Sequence, residues 1–184
     1  MASRILRKIE WVSSQENPKP DVSFMPMMVR RRLSQVEKAA LHVAWRIFDS
    51  TDAASCPESI PTLDKVPVVF ASRWGEIGTT LKLMRQMHDE GEMSPAAFSS
   101  SVHNAAPGAW SLFAGNKTPY TSIAAREKTY EMGLLEAEMQ LASGAFDAVL
   151  YVYAEESTPE YYRSGFDCPE AARAVAMLLV SNGE

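Results

Sequence analysis

Two cysteines and three histidines in 184 residues leave little material for thiol or metal chemistry. Cys56 and Cys168 stand far apart, each followed by a proline, and read as free thiols in loops. His42, His88 and His103 share no ligand spacing with one another or with a cysteine, so neither a metal nor another cofactor is expected. No apolar run of membrane-spanning length occurs, and Met1 to Glu10 is charged where a leader would be apolar, which points to the cytoplasm. Positive charge is also scarce: 18 Lys and Arg against 23 Asp and Glu give no basic footprint for nucleic acid. The glycine fingerprints of phosphate loops are missing too. Gly75 and Gly78 follow a strand-like run, Val66 to Ala71, but no Gly-Lys-Ser/Thr follows and the third glycine of the dinucleotide pattern is absent; a tight strand-to-helix turn is the simpler reading.

What is present suits one α/β domain spanning 1–184, with 46% apolar residues to fill a core and an irregular N-terminal arm over 1–21. Ser34 followed by Glu37 is a capping-box pair, and Val36, Ala40, Val43, Ala44 and Ile47 supply one apolar face, predicting a helix from Gln35 to Phe48. A second helix is expected over about Thr79 to His88, and a third starts at Pro95 behind a Ser94 cap and runs to about His103. Ala171 to Val180 reads as a final buried strand. Arg30, Arg31 and Arg32 form the densest basic cluster. They read either as a solvated loop or as a docking patch for an acidic carrier protein or its phosphopantetheine arm.

The most informative stretch is Asn104 to Glu155. It holds an apolar segment with a Pro107-Gly108 break, a glycine stop at Gly115, a β-leaning run at Tyr120 to Ile123, a helix stopped by Ser143-Gly144, and a buried strand from Ala148 to Ala154. On a helical wheel Tyr130, Leu134, Ala137 and Leu141 fall on one side of that last helix and Met132, Leu135, Met139 and Ala142 nearly opposite, so it is expected to be covered on both sides. Asn104, Gly108, Gly115, Pro119, Ser143-Gly144 and Asp147 resemble, without gaps, the N-terminal half of the thiolase-fold β-ketoacyl synthases, in particular their ketosynthase-like N-terminal-domain family, with similarity over Phe24 to Ala154. The resemblance implies a layered mixed sheet with helices. It puts the family's nucleophile position, normally a cysteine, on Glu127, and it implies that the catalytic basic residues belong to a C-terminal half that these residues do not include.

A ketosynthase half without its thiol resembles a chain length factor, with an aryl polyene pathway as the most specific context. On that resemblance Tyr120, Thr121, Ser122, Ile123 and Ala124 form the strand that pairs with a full-length β-ketoacyl synthase, and acyl carrier protein is a possible further partner. Phe98, Ser99 and Val102 are then candidates for gating the partner's acyl tunnel, although Phe98, Val102 and Trp110 also suit a core. His103 reads as a hydrogen-bonded structural histidine and Glu127 as a helix-cap residue. A stand-alone acyltransferase or decarboxylase using Glu127 or His103 is the competing reading, and a carrier-binding module that acts without a ketosynthase is a third.

Overall fold

The computed structural model describes residues 3–49, 60–164 and 169–181; Cys56 and Cys168 lie outside these ranges. Five strands form one mixed sheet: β1 (Ser3–Val12), β2 (Val68–Ala71), β3 (Tyr120–Ile123), β4 (Ala148–Glu155) and β5 (Arg173–Ser181), in the order β1-β5-β4-β2-β3. β4, β2 and β3 run parallel, and β5 and β1 add antiparallel pairs at the other side. The helices are α1 (Met27–Arg30), α2 (Gln35–Phe48), α3 (Ile77–Glu90), α4 (Pro95–Ser99), α5 (Ala105–Ala114), α6 (Thr129–Ala142) and α7 (Glu160–Arg163).

The two faces of the sheet carry different cores. α2 and α5 cover one face, burying Val36, Leu41, Val43, Ile47 and Trp110 against Phe70, Leu150, Val152 and Leu178. α2 starts where the capping box puts it: Ser34 Oγ accepts the Glu37 N–H at 3.0 Å and Glu37 Oε2 accepts the Ser34 N–H at 2.6 Å. Among the described residues α6 alone covers the other face, packing Ala137 and Leu141 on Val69, Ala71, Val149 and Tyr151. Its approach is unusually close. A Cβ on Gly133 would stand 2.6 Å from the Ala71 Cβ and 2.7 Å from the Tyr151 ring, so only glycine fits at that turn of the helix.

Three expectations need correcting. The supposed irregular arm contains β1, which pairs with β5 along its whole length; its charges hid it, yet Trp11 is core and Arg7 Nη1 donates to the Ile47 carbonyl at 2.7 Å, satisfying the last turn of α2. Pro107 and Gly108 do not break anything either. α5 runs through them, because Pro107 stands in its first turn, where a backbone N–H has no intrahelical acceptor to lose. The third helix does stop early: α4 ends at Ser99, and a turn separates it from α5.

Asn116 ties the two parallel loops together. Its Nδ2 donates to the carbonyls of Leu63 and Val66 at 2.9 and 2.8 Å, and its Oδ1 accepts from the Thr118 N–H and hydroxyl. The side chain is buried with both of its ends satisfied, and it fixes the entry into β3 against the entry into β2.

Candidate functional site

Open α/β sheets present ligands at the carboxyl ends of their parallel strands, and here those ends surround a cavity of about 560 Å³. β2 leads into Ser72, Arg73 and Trp74; β3 leads into Arg126 and Glu127; β4 ends on Glu155. Glu155 is buried and accepts hydrogen bonds from the Arg73 and Trp74 N–H groups and from Ser72 Oγ, which pins the β2–α3 loop to the end of β4. Burial pushes the Glu155 carboxyl above its ordinary value despite those donors and the nearby Arg173. Burial, reinforced by Glu155, also raises the Tyr153 phenol, and Arg173 Nη2 donates to its hydroxyl at 3.2 Å.

The turn between β3 and α6 is sharp. Arg126 has φ +53°, the single left-handed residue other than glycine among the described residues, a conformation that costs on the order of 1–2 kcal/mol without a compensating feature. Thr129 Oγ1 stabilises the bend by accepting from the Ala125 N–H at 2.9 Å and donating to the Arg126 carbonyl at 2.7 Å. Glu127 sits in the short 3₁₀ turn Arg126–Lys128 ahead of α6 and makes no cap hydrogen bond, contrary to the capping reading. Its Oε1 is 2.9 Å from Arg73 Nη2, an ion pair reaching from one strand end to the next across the cavity wall. Glu127 is mostly exposed, so the pair contributes less than about 1 kcal/mol. Its consequence is geometric: a carboxylate held by a guanidinium stands where the turn points.

A second group of carboxylates lies beneath the β2–α3 loop. Glu76 is buried and accepts from Ser34 Oγ at 2.8 Å and from Thr79 Oγ1 at 3.1 Å; burial, with Glu37 and Glu156 nearby, pushes its carboxyl up to about 8. Glu156 accepts the Gly78 N–H at 2.6 Å at the start of α3. Neither Glu76 nor the Glu155-Glu156 pair stands out in the sequence, since no spacing marks them. Two carboxylates directly after a wholly apolar strand were the available signal.

His103 behaves as a structural histidine: Nε2 lies 2.6 Å from the Ser72 carbonyl, which can only accept, so that nitrogen carries the proton. Phe98 and Val102 are not core residues, being 56% and 42% exposed, whereas Trp110 is buried. Ser99 ends α4, where its hydroxyl bonds back to Ala96. α3 and α4 pack chiefly on one another, and the turn after them reaches β3 through Asn104 Nδ2, 3.4 Å from the Tyr120 hydroxyl. Among the described residues β3 is an edge, bonded to β2 alone. The Pro119 and Ile123 carbonyls accept from Val68 and Ser72 of the β2 segment, so by strand alternation the N–H and C=O of Tyr120 and Ser122 face outward. Ala124 falls just beyond the strand. Arg31 and Arg32 are exposed and Arg30 half-buried; Arg30 and Arg31 line a separate groove with Lys19 and Lys38, two cations the sequence did not connect to them, while Arg32 stays outside it.

The family model for the beta-ketoacyl synthase N-terminal domain matches residues 7–184. The chain belongs to that family. As expected for this ketoacyl-synthase domain, solved structures share its fold. The ketosynthase ApeO in complex with its chain length factor ApeC from Xenorhabdus doucetiae gives a TM-score of 0.78 at 22% identity, covering 99% of this chain and 80% of the matched one. The ishigamide ketosynthase/chain length factor gives 0.70 at 15%, covering 85% and 46%. A β-ketoacyl synthase from Burkholderia phymatum STM815 gives 0.65 at 14%, covering 85% and 44%. The ketoacyl-synthase domain thus spans less than half of the last two chains but four fifths of the first. No curated protein matches it. Among the described residues no helix is long and apolar enough to cross a membrane.

Proposed function

We propose that this chain is a non-catalytic, chain-length-factor-like subunit that pairs through β3 with a full-length β-ketoacyl synthase and shapes its acyl tunnel, in polyene or fatty-acid synthesis in the cytoplasm. The observation that carries this reading is the elbow. The β3–α6 turn is strained at Arg126, and the residue that the resemblance assigns to the nucleophile position, Glu127, is bound to Arg73. A carboxylate so held is a poor acyl acceptor, and His103, tied to the Ser72 carbonyl, is no free base.

The neighbouring surface supports the pairing. β3 is short and open, with outward backbone groups at Tyr120 and Ser122, and a buried Ser122 hydroxyl that has no partner among the described residues. Phe98 lies in α4 and Val102 in the α4–α5 turn that Asn104 links to this edge, both exposed as side chains that enter another subunit must be. Ser99, the last residue of α4, completes the set of gate candidates. Arg30, Arg31 and Arg32 supply the charge for an acyl carrier protein. The likeness to a chain in a ketosynthase and chain length factor complex supports the reading.

Co-expression with a full-length β-ketoacyl synthase from the same organism tests the reading. The two should co-elute on size exclusion, and Ser122→Pro, which removes an outward N–H from the edge, should separate them while both stay folded. Separate elution of the unaltered pair, or acyl loading or CO2 release from thioesters by this chain alone, would overturn it.

A further inference from the structure

The hairpin of α3 and α4, residues 77–99, belongs to neither hydrophobic core. α3 buries Leu81 and Leu83, α4 buries nothing, and the two helices pack chiefly on one another. What joins the hairpin to the rest of the fold is polar, and it gathers at the foot of α3.

Three buried carboxyl groups from three segments meet there. Glu76, at the N-cap of α3, accepts from Ser34 Oγ at 2.8 Å, where α2 begins. Glu156, just past β4, accepts the Gly78 N–H at 2.6 Å, and a Cβ on Gly78 would stand 3.0 Å from both of its oxygens. Glu37 folds back from α2 onto the Ser34 N–H. Among the described residues no lysine or arginine is ion-paired with any of the three. Lys38 lies near Glu37 and Lys82 near Glu156, but Arg73 of the same loop is engaged by Glu127, Arg173 by Tyr153 beside Glu155, and His103 by the Ser72 carbonyl.

The arrangement suits the acid form of Glu76. The Thr79 hydroxyl, 3.1 Å from Glu76 Oε2, can accept a hydrogen bond as readily as donate one, so a carboxylic acid is satisfied at both oxygens without rearrangement. A carboxylate in the same place is buried beside Glu37 and Glu156 with no cation paired to it, and burial is the main reason that the proton is held.

We infer that the α3–α4 hairpin is a proton-held flap: it lies latched to Ser34 and the end of β4 while Glu76 is protonated, and it swings out about Gly75 and the turn at 100–104 when Glu76 ionises, with both cores left folded. Gly75 has φ +52° and packs against His103, so the hinge stands at a residue free to change its backbone. In the open flap Glu76 is solvated and titrates at its ordinary value. Opening therefore releases a proton, and it becomes more frequent as the pH rises from about 4.5 to about 8 and levels beyond. The flap carries Phe98 and Ser99, and the inference holds whether or not they gate a tunnel.

Hydrogen exchange on the full chain, corrected for base catalysis, tests it. Amides of 77–99 should be at least about a hundredfold less protected than those of α2 and β4, with little dependence on urea, because local opening exposes little surface. Their protection should fall about tenfold per pH unit for each proton released, levelling above about 8. Glu76→Gln, which keeps both hydrogen bonds and cannot ionise, should flatten that fall. In the unaltered chain the Glu76 carboxyl, followed by carbon-13 NMR, should titrate well above 4.5. Hairpin protection that ignores pH or equals that of α2 and β4, an unchanged fall in Glu76→Gln, or a Glu76 titration at its ordinary value would each overturn the inference.

Discussion

α2 and α6 are helices of equal length on opposite faces of one sheet, and they are finished differently. α2 is buried along most of its surface: the sheet lies beneath it, α5 and Phe24 flank it, and Arg7 and Ser34 close its two ends. α6 buries a single narrow face, built on Gly133, Ala137 and Leu141. Stability is therefore concentrated on the α2 side, while the outer side of α6 and the edge of β3 are left open among the described residues.

Substitutions can sharpen or break that contrast. Ile47→Ala on α2 should cost about 2–5 kcal/mol in urea unfolding, since the fully buried side chain leaves a cavity that α5 and β5 cannot fill. Gly133→Ala should cost about 1–3 kcal/mol, although alanine is the better helix former, because its methyl group must push Ala71 or Tyr151 aside; a higher melting temperature would mean that the close approach is not binding. Glu76 gives a pH dependence. Its carboxyl rises from 4.5 to about 8 on folding, so the folded chain keeps a proton that the unfolded chain has released. The associated stability is full below about 4.5 and is lost as the pH climbs through 8, at up to roughly 1.4 kcal/mol per pH unit. Glu76→Gln should flatten that decline, though not abolish it, because Glu37, Glu155 and Glu156 are raised in the same sense. Leu135→Ala on the open side of α6 should change the stability by less than about 0.5 kcal/mol. A loss approaching that of Ile47→Ala would erase the distinction between the two helices.

The parts of the fold that were legible in the sequence are those written in short-range patterns. The capping box set the start of α2 and β-branched runs located β2, β4 and β5, whereas the opposed apolar residues of α6 predicted cover on both sides and the described residues cover only the face of Gly133, Ala137 and Leu141. β1 escaped because an edge strand carrying Arg4, Arg7, Lys8 and Glu10 has no clean alternation. Much of the site escaped for another reason. Arg73 meets Glu127, Ser34 meets Glu76, and Lys19 and Lys38 join Arg30 and Arg31 only when distant segments are folded together, and no local spacing records such meetings. Phe98 and Val102 show the converse, since a sequence registers that a side chain is apolar but not whether the fold buries it.

Asn116 bears on when assembly can happen. By clamping the loops ahead of β2 and β3, it holds the edge strand in register from inside the chain, without help from any neighbour. A partner laid along β3 therefore meets a surface that is already formed, and association is a collision of finished parts whose rate follows encounter and orientation rather than the slower ordering of a loose segment.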